Sequence, residues 1–128
     1  MQTPSILIAE DDAVLREVYV KKFTIAGYNI RAVQNGQEAI QEVEREKPDI
    51  AILDLNMPVL DGFAVLERYP RAQRTFPVII LSNFGDTKNK ERGLGLGADD
   101  FFIKSEMTIK TLLEKVTTLM KAKTMWGK

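Results

Sequence analysis

Four apolar runs in this chain stop at residues that can do chemistry. Ser5-Ile6-Leu7-Ile8-Ala9 halts at Glu10-Asp11-Asp12. Ile50-Ala51-Ile52-Leu53 ends on Asp54 and breaks into Leu55-Asn56-Met57-Pro58. Pro77-Val78-Ile79-Ile80-Leu81 ends at Ser82-Asn83, and Asp100-Phe101-Phe102-Ile103 ends at Lys104. Carboxylates brought to one place repel: two unit charges ~4 Å apart cost about 4 kcal/mol at an effective dielectric near 20. Protonation, separation or a cation relieves that cost. The chain has no His and no Cys, so it lacks the commonest general base, the commonest metal ligand and any thiolate chemistry. A metal here must be held by oxygen, which favours Mg²⁺, Mn²⁺ or Ca²⁺. A hard cation, a lysine and a hydroxyl around three oxygens, with a carboxylate as nucleophile, suit a phosphoryl group.

Each of these residues alone has a plainer reading. A strand-end Asp more often caps a helix or shapes a turn, and Glu-Asp-Asp after a strand can be the cap and acidic first turn of the next helix. Asp12 is left outside the site on that ground. The coincidence of four such ends on one sheet edge carries the functional reading.

That edge requires a particular arrangement of elements. The first strand is followed by a helix over 13–26, with Val14, Leu15, Val18, Tyr19, Phe23 and Ala26 on its inner face and Gly27 closing it. Residues 28–33 alternate as a second strand. Asn35 and Glu38 mark the start of a second helix, which Lys47-Pro48 ends. The third strand is 50–54. Asp61 caps a third helix over about 62–72, and 77–81 is the fourth strand. A fourth helix opens at Asp86 or Thr87 and is weak, because Gly93 and Gly95 each cost about 1 kcal/mol relative to Ala. Gly97 closes it. Residues 100–103 form the fifth strand. Thr108 caps a last helix whose Ile109, Leu112, Leu113, Val116, Leu119 and Met120 follow helical spacing. Strands alternating with helices at this spacing predict a parallel sheet with helices on both faces and right-handed crossovers. All five strand ends then share one edge, where open α/β sheets place their ligands.

Composition narrows the function classes. Lys plus Arg and Asp plus Glu are both 18 in 128 residues, which gives no electrostatic case for direct nucleic-acid binding or an anionic membrane surface. No apolar stretch approaches the ~20 residues of a membrane span, and Met1-Gln2-Thr3-Pro4 has no signal-peptide pattern. The expectation is one cytoplasmic domain over 1–128, with a core of about 5–120 and a basic tail, 121–128, that frays.

The order Glu10-Asp11, Asp54, Ser82, Lys104 on a (βα)5 chain resembles the receiver domain of two-component response regulators. Leu53-Asp54-Leu55-Asn56-Met57-Pro58-Val59-Leu60-Asp61-Gly62 is similar to that family's phosphorylation loop, and Gly97-Ala98-Asp99-Asp100-Phe101 to its entry into the fifth strand. The resemblance runs from about Ser5 to Met120. It implies a doubly wound, flavodoxin-like α/β fold with strand order 2-1-3-4-5, of the stand-alone single-domain type. It makes Asp54 the phosphoacceptor, Asp11 a direct Mg²⁺ (or Mn²⁺) ligand, Glu10 a ligand mainly through water, and the Asn56 main-chain carbonyl a further ligand. Ser82 is implied to bind the phosphoryl group and switch rotamer, and Lys104 to pair with a phosphoryl oxygen. Phe101 falls at an aromatic switch position. The implied donor is a phosphohistidine on a histidine kinase or histidine phosphotransfer protein. The output is a protein contact through the face around helix 4, strand 5 and helix 5, by a monomer or a phosphorylation-linked dimer. A chain without His needs such an external donor.

Three positions depart from the pattern. Ser105 follows Lys104 where the family commonly has Pro, often cis. A cis bond without Pro costs roughly 3 kcal/mol, so a trans Lys104–Ser105 bond is expected, with about one extra residue before Thr108 absorbing the path. Asn83 stands where a small residue is usual and narrows access to Asp54. Phe84 is expected to shield an aspartyl phosphate and lengthen its life. Three other readings stay open: an Asp-nucleophile phosphatase of the haloacid dehalogenase kind, disfavoured by Asn56 where a second Asp is wanted; a flavin carrier, disfavoured by acids in place of a Ser/Thr/Gly-rich loop; and a receiver-like binding module that is not phosphorylated.

Overall fold

The computed structural model describes residues 3–83 and 87–126, with side chains to residue 122. Five strands, β1 (Ser5–Ala9), β2 (Asn29–Val33), β3 (Ile50–Asp54), β4 (Val78–Ser82) and β5 (Asp100–Ile103), alternate with five helices. These are α1 (Ala13–Ile25), α2 (Gly36–Arg45), α3 (Gly62–Arg68), α4 (Thr87–Gly95) and α5 (Ile109–Trp126). The strands form one parallel sheet in the order β2-β1-β3-β4-β5, as the sequence pattern and the resemblance predict.

A parallel sheet covered on both faces must be apolar on both, and β3 and β4 are buried at every position. The period of two divides each strand between two cores. Leu7, Ala51, Leu53, Val78, Ile80 and Phe101 face the α2–α3 side with Ala39, Val43, Phe63 and Leu66. Ile6, Ile8, Ile50, Ile52, Ile79 and Leu81 face the other side with Tyr19, Phe23, Leu112 and Val116.

The predicted caps are in place. Asp12 accepts from Val14 N and Leu15 N, Asn35 from Glu38 N, and Asp61 from Ala64 N. Thr108 Oγ1 accepts from Thr111 N at 3.1 Å. Gly97, at φ 102°, ends α4 in the left-handed conformation that glycine adopts without steric cost. Its N–H donates to Leu94 O and the Ala98 N–H to Gly93 O, both at 3.0 Å, which is the paired closure of a Schellman turn.

Several details correct the sequence reading. Val14 is 75% exposed and Ala26 is exposed as well, so α1 buries a narrower face than predicted. Glu38 reaches back to the Gln34 N–H at 3.2 Å, one residue before the cap. The third helix stops at Arg68 and not near residue 72, because Pro70 disfavours helical geometry in the residue before it; Arg71–Gln73 form a separate 3-10 turn. The last helix runs on past Lys121, since α5 continues to Trp126.

Candidate functional site at the carboxyl edge of the sheet

Register brings the strand ends together. Ala9 pairs with Leu53, so Glu10 and Asp54 follow side by side on neighbouring strands. Asp54 pairs with Leu81 and Ser82 with Ile103, which sets Ser82 and Lys104 on the far side of Asp54. Glu10, Asp54 and Ser82 are buried, at 1%, 1% and 0% exposure. One carboxylate oxygen from each of Glu10, Asp11 and Asp54 lies within 4.8 Å of the others, with Asp11 the exposed member. Five of the predicted residues, Glu10, Asp11, Asp54, Ser82 and Lys104, thus gather at one edge.

Lys104 holds the buried pair. Its Nζ donates to Glu10 Oε1 at 2.5 Å and to Asp54 Oδ2 at 2.9 Å. The remaining oxygens have main-chain donors: Asp54 Oδ1 accepts from the Asn56 N–H at 3.0 Å, and Glu10 Oε2 from the Asp12 N–H at 3.2 Å. One ammonium does not balance this much acid. Burial first, then the hydrogen bond to Asp54, pushes the Glu10 carboxyl up to about 7 against the opposing pull of Lys104. Burial alone would lower the Lys104 pKa, but its bonds to Glu10 and Asp54 outweigh that and raise it. The donor set is all hard oxygen, partly open through Asp11 and short of positive charge, and it fits Mg²⁺ or Mn²⁺.

The frame behind the acids is backbone packed on backbone. A Cβ at Gly62 would lie 2.9 Å from Asp54 O, so α3 starts directly against the end of β3. A Cβ at Gly36 would lie 2.3 Å from Leu60 O, and the Gly36 N–H donates to that carbonyl at 3.0 Å. Between them Val59 sits at φ 68°, with Leu60 N bonded to Pro58 O at 2.7 Å across it. That tight turn is rare and strained for a β-branched residue.

Sequence reasoning missed Arg16. Its Nη1 donates to Glu10 O at 2.8 Å and to Asp11 O at 3.4 Å, tying α1 to the acidic turn. The signal available was a lone cation in the first turns of a helix preceded by three acids, which by itself reads as a surface charge. Asn83, at the mouth, is exposed, and its N–H lies 3.5 Å from Asn56 Oδ1. Phe84 lies outside the described residues. All peptide bonds described are trans, including Lys104–Ser105, and the extra length before Thr108 is taken up by a 3-10 turn over Lys104–Glu106.

A family model, the response regulator receiver domain, matches residues 6–117. The chain belongs to that family. Among curated relatives of this receiver domain, a probable transcriptional regulator ycf27 of Porphyridium aerugineum is 34% identical over 122 residues, covering 91% of this chain and 50% of that protein. The gliding motility regulatory protein of Myxococcus xanthus is 31% identical over 116 residues, covering 89% of this chain and 15% of that protein. The chain spans about half the length of the ycf27 relatives it matches. Among solved structures, the receiver domain of the Francisella response regulator 1452 superposes with a TM-score of 0.87 at 32% identity, covering 94% of this chain and 98% of that one. The receiver domain of a histidine kinase from Syntrophus aciditrophicus gives 0.84 at 33% identity, covering 94% and 92%. Phe101 is 5% exposed and lies beneath α4, where a Cβ on Gly93 would meet its ring at 3.1 Å. Gly93, costly as a helix former, leaves the room that the ring occupies.

Proposed function

We propose that Asp54 accepts a phosphoryl group from a phosphohistidine on a histidine kinase or histidine phosphotransfer protein, in a Mg²⁺-dependent reaction in the cytoplasm. The observation that carries this reading is Lys104 Nζ bridging Asp54 Oδ2 and Glu10 Oε1 beside the exposed carboxylate of Asp11. An Asp54 oxygen attacks phosphorus, the P–N bond of the phosphohistidine breaks, and its electron pair leaves on the imidazole nitrogen. The Asn56 N–H fixes Asp54 Oδ1 and so fixes the direction of the carboxylate. Lys104, already at the other oxygen, pairs with the charge on the incoming phosphoryl group, and the Ser82 hydroxyl supplies a further donor. Glu10, Asp11, Asp54 and the Asn56 main-chain carbonyl are the residues that would hold the cation. The ion supplies charge neutralisation between carboxylates and phosphoryl oxygens.

The domain, over about residues 5–120, is read as a phosphorelay component and not as an enzyme acting on other substrates. Its output is a contact through the face of α4, β5 and α5 with a protein partner or a second copy. Phe101 then acts as a packed wedge under α4 and not as a hydroxyl donor. Incubation with Mg²⁺ and a small phosphodonor, read by intact mass, tests the reading. A gain of one phosphoryl group is expected, lost with Asp54→Asn and with chelation of Mg²⁺. No gain in the unaltered protein overturns it in favour of a binding module that is not phosphorylated.

A further inference from the structure

The three acids at the sheet edge are not held alike. The two oxygens of Asp54 are taken by the Asn56 N–H and Lys104, and those of Glu10 by Lys104 and the Asp12 N–H. The Asp11 carboxylate is exposed and makes no hydrogen bond or ion pair among the described residues. Its direction is therefore set by the main chain, through the two peptide units that flank the Asp11 Cα.

Both units are pinned, and one side chain reaches both. Arg16 Nη1 donates to Glu10 O at 2.8 Å and to Asp11 O at 3.4 Å, the carbonyls of the units before and after the Asp11 Cα. Glu10 O lies one residue past the end of β1, beyond the strand's own ladder, and takes its donor from Arg16. The second unit is held again at its other end, where the Asp12 N–H donates to Glu10 Oε2 at 3.2 Å. The reach of Arg16 follows from helix geometry. Its own N–H bonds to Asp12 O at 2.9 Å in the opening turn of α1, and helical side chains lean back toward the N-terminus. A cation there opposes the helix macrodipole and repels any second cation at the acids. Electrostatics therefore works against Arg16 at this place, and what it supplies is geometric.

We infer that Arg16 is a positioning residue for the divalent cation, aiming the Asp11 carboxylate by holding the peptide units on either side of it. The inference rests on the metal role proposed for Asp11 and adds a residue that touches neither the ion nor the phosphoryl group. Groups that orient a metal ligand from behind are worth about ten- to a hundredfold in affinity. The sign of the effect discriminates. A mere neighbouring charge, once removed, leaves the cation bound more tightly, because like charges repel. A positioning residue, once removed, leaves it bound more loosely.

Mn²⁺ binding to the whole chain is titrated by electron-spin resonance, which counts the free ion, with no phosphodonor present. Arg16→Met is expected to raise the Kd about tenfold. Arg16→Lys keeps the charge and one donor for Glu10 O, and its Kd is expected to fall between the two. Lys22→Met removes an exposed cation from the far end of the same helix and is expected to change the Kd by less than about twofold, since solvent and salt screen a charge at that distance. Urea midpoints establish that each variant is folded during the titration, and Arg16→Lys carries the test should Arg16→Met not fold. A Kd that is unchanged or lower in the Arg16 variants, or an equal rise in Lys22→Met, overturns the positioning role while the metal site stands. No Mn²⁺ bound by the unaltered protein overturns the metal reading of Glu10, Asp11 and Asp54, and the role of Arg16 with it.

Discussion

Replacing Lys104 with Met removes the cation between two buried carboxylates, and the structure sets the cost. Glu10, Asp11 and Asp54 offer oxygens within 4.8 Å of one another. At an effective dielectric near 20, a pair of unit charges at that separation repels by roughly 3–4 kcal/mol, which agrees with the 3–5 kcal/mol typical of breaking a buried ion pair. The cost depends on pH through Glu10, whose pKa in the fold is raised from 4.5 to about 7 by burial first and by Asp54 second. Between about pH 4.5 and 7 the folded state holds a proton that the unfolded chain has released, so stability falls as pH rises through that window. Removing Lys104 takes away a cause that lowers the Glu10 pKa, so the window extends to higher pH and the total fall grows. Lys104→Met is expected to lose roughly 3–4 kcal/mol at pH 8 and at least ~1.5 kcal/mol less at pH 5.5, where Glu10 is largely neutral. In urea, with a slope near 2 kcal/mol per M, the midpoint at pH 8 drops by about 1.5–2 M. Mg²⁺ is expected to restore more stability to the variant than to the parent. A loss under ~1 kcal/mol at pH 8, or equal losses at both pH values, would refute the account of Lys104 as the electrostatic keystone of the site.

Asp54→Asn removes the second cause of the raised Glu10 pKa, so the decline in stability between pH 4.5 and 7 flattens; urea titrations across that range measure it. Metal and proton compete for Glu10, so Mg²⁺ affinity, followed calorimetrically, falls as pH drops through about 7. Gly36→Ala puts a Cβ 2.3 Å from Leu60 O, a backbone atom that cannot swing aside, and is expected to cost ~2–3 kcal/mol in urea unfolding; no loss would mean that the loop after β3 yields freely. From sequence alone, Phe84→Glu is expected to speed loss of the phosphoryl group, and an unchanged rate of dephosphorylation removes Phe84 from the account.

The strands were legible because burial on both faces writes itself as continuous apolar runs, and Ile50–Asp54 and Val78–Ser82 could be little else. The caps Asp12, Asn35, Asp61 and Thr108 were legible because a cap is a local bond between residues two or three apart. The ends of α3 and α5 were misjudged, the first because Pro70 acts on the residue before it and the second because the basic tail carries no stop signal. Arg16 was invisible, because an arginine that folds back on carbonyls has the same sequence signature as one in solvent. Arg74 was invisible for a related reason: its four acceptors come from Tyr69, Phe76, Gly97 and Asp99, and no local pattern announces a bond across 25 residues.

By itself, then, the sequence determined which residue types end each strand, that the chemistry is oxygen, ammonium and hydroxyl chemistry without imidazole or thiol, and that the strands are parallel. Only the tertiary structure decided that Lys104 bridges Asp54 and Glu10, that Gly93 leaves room for the Phe101 ring, and that Arg74 ties the turn after α4 to Tyr69 and Phe76. The physical reason is range. Periodicity, capping and composition are short-range properties that a chain displays in order. Charge pairing and close backbone approach belong to residues that meet only when the sheet is assembled.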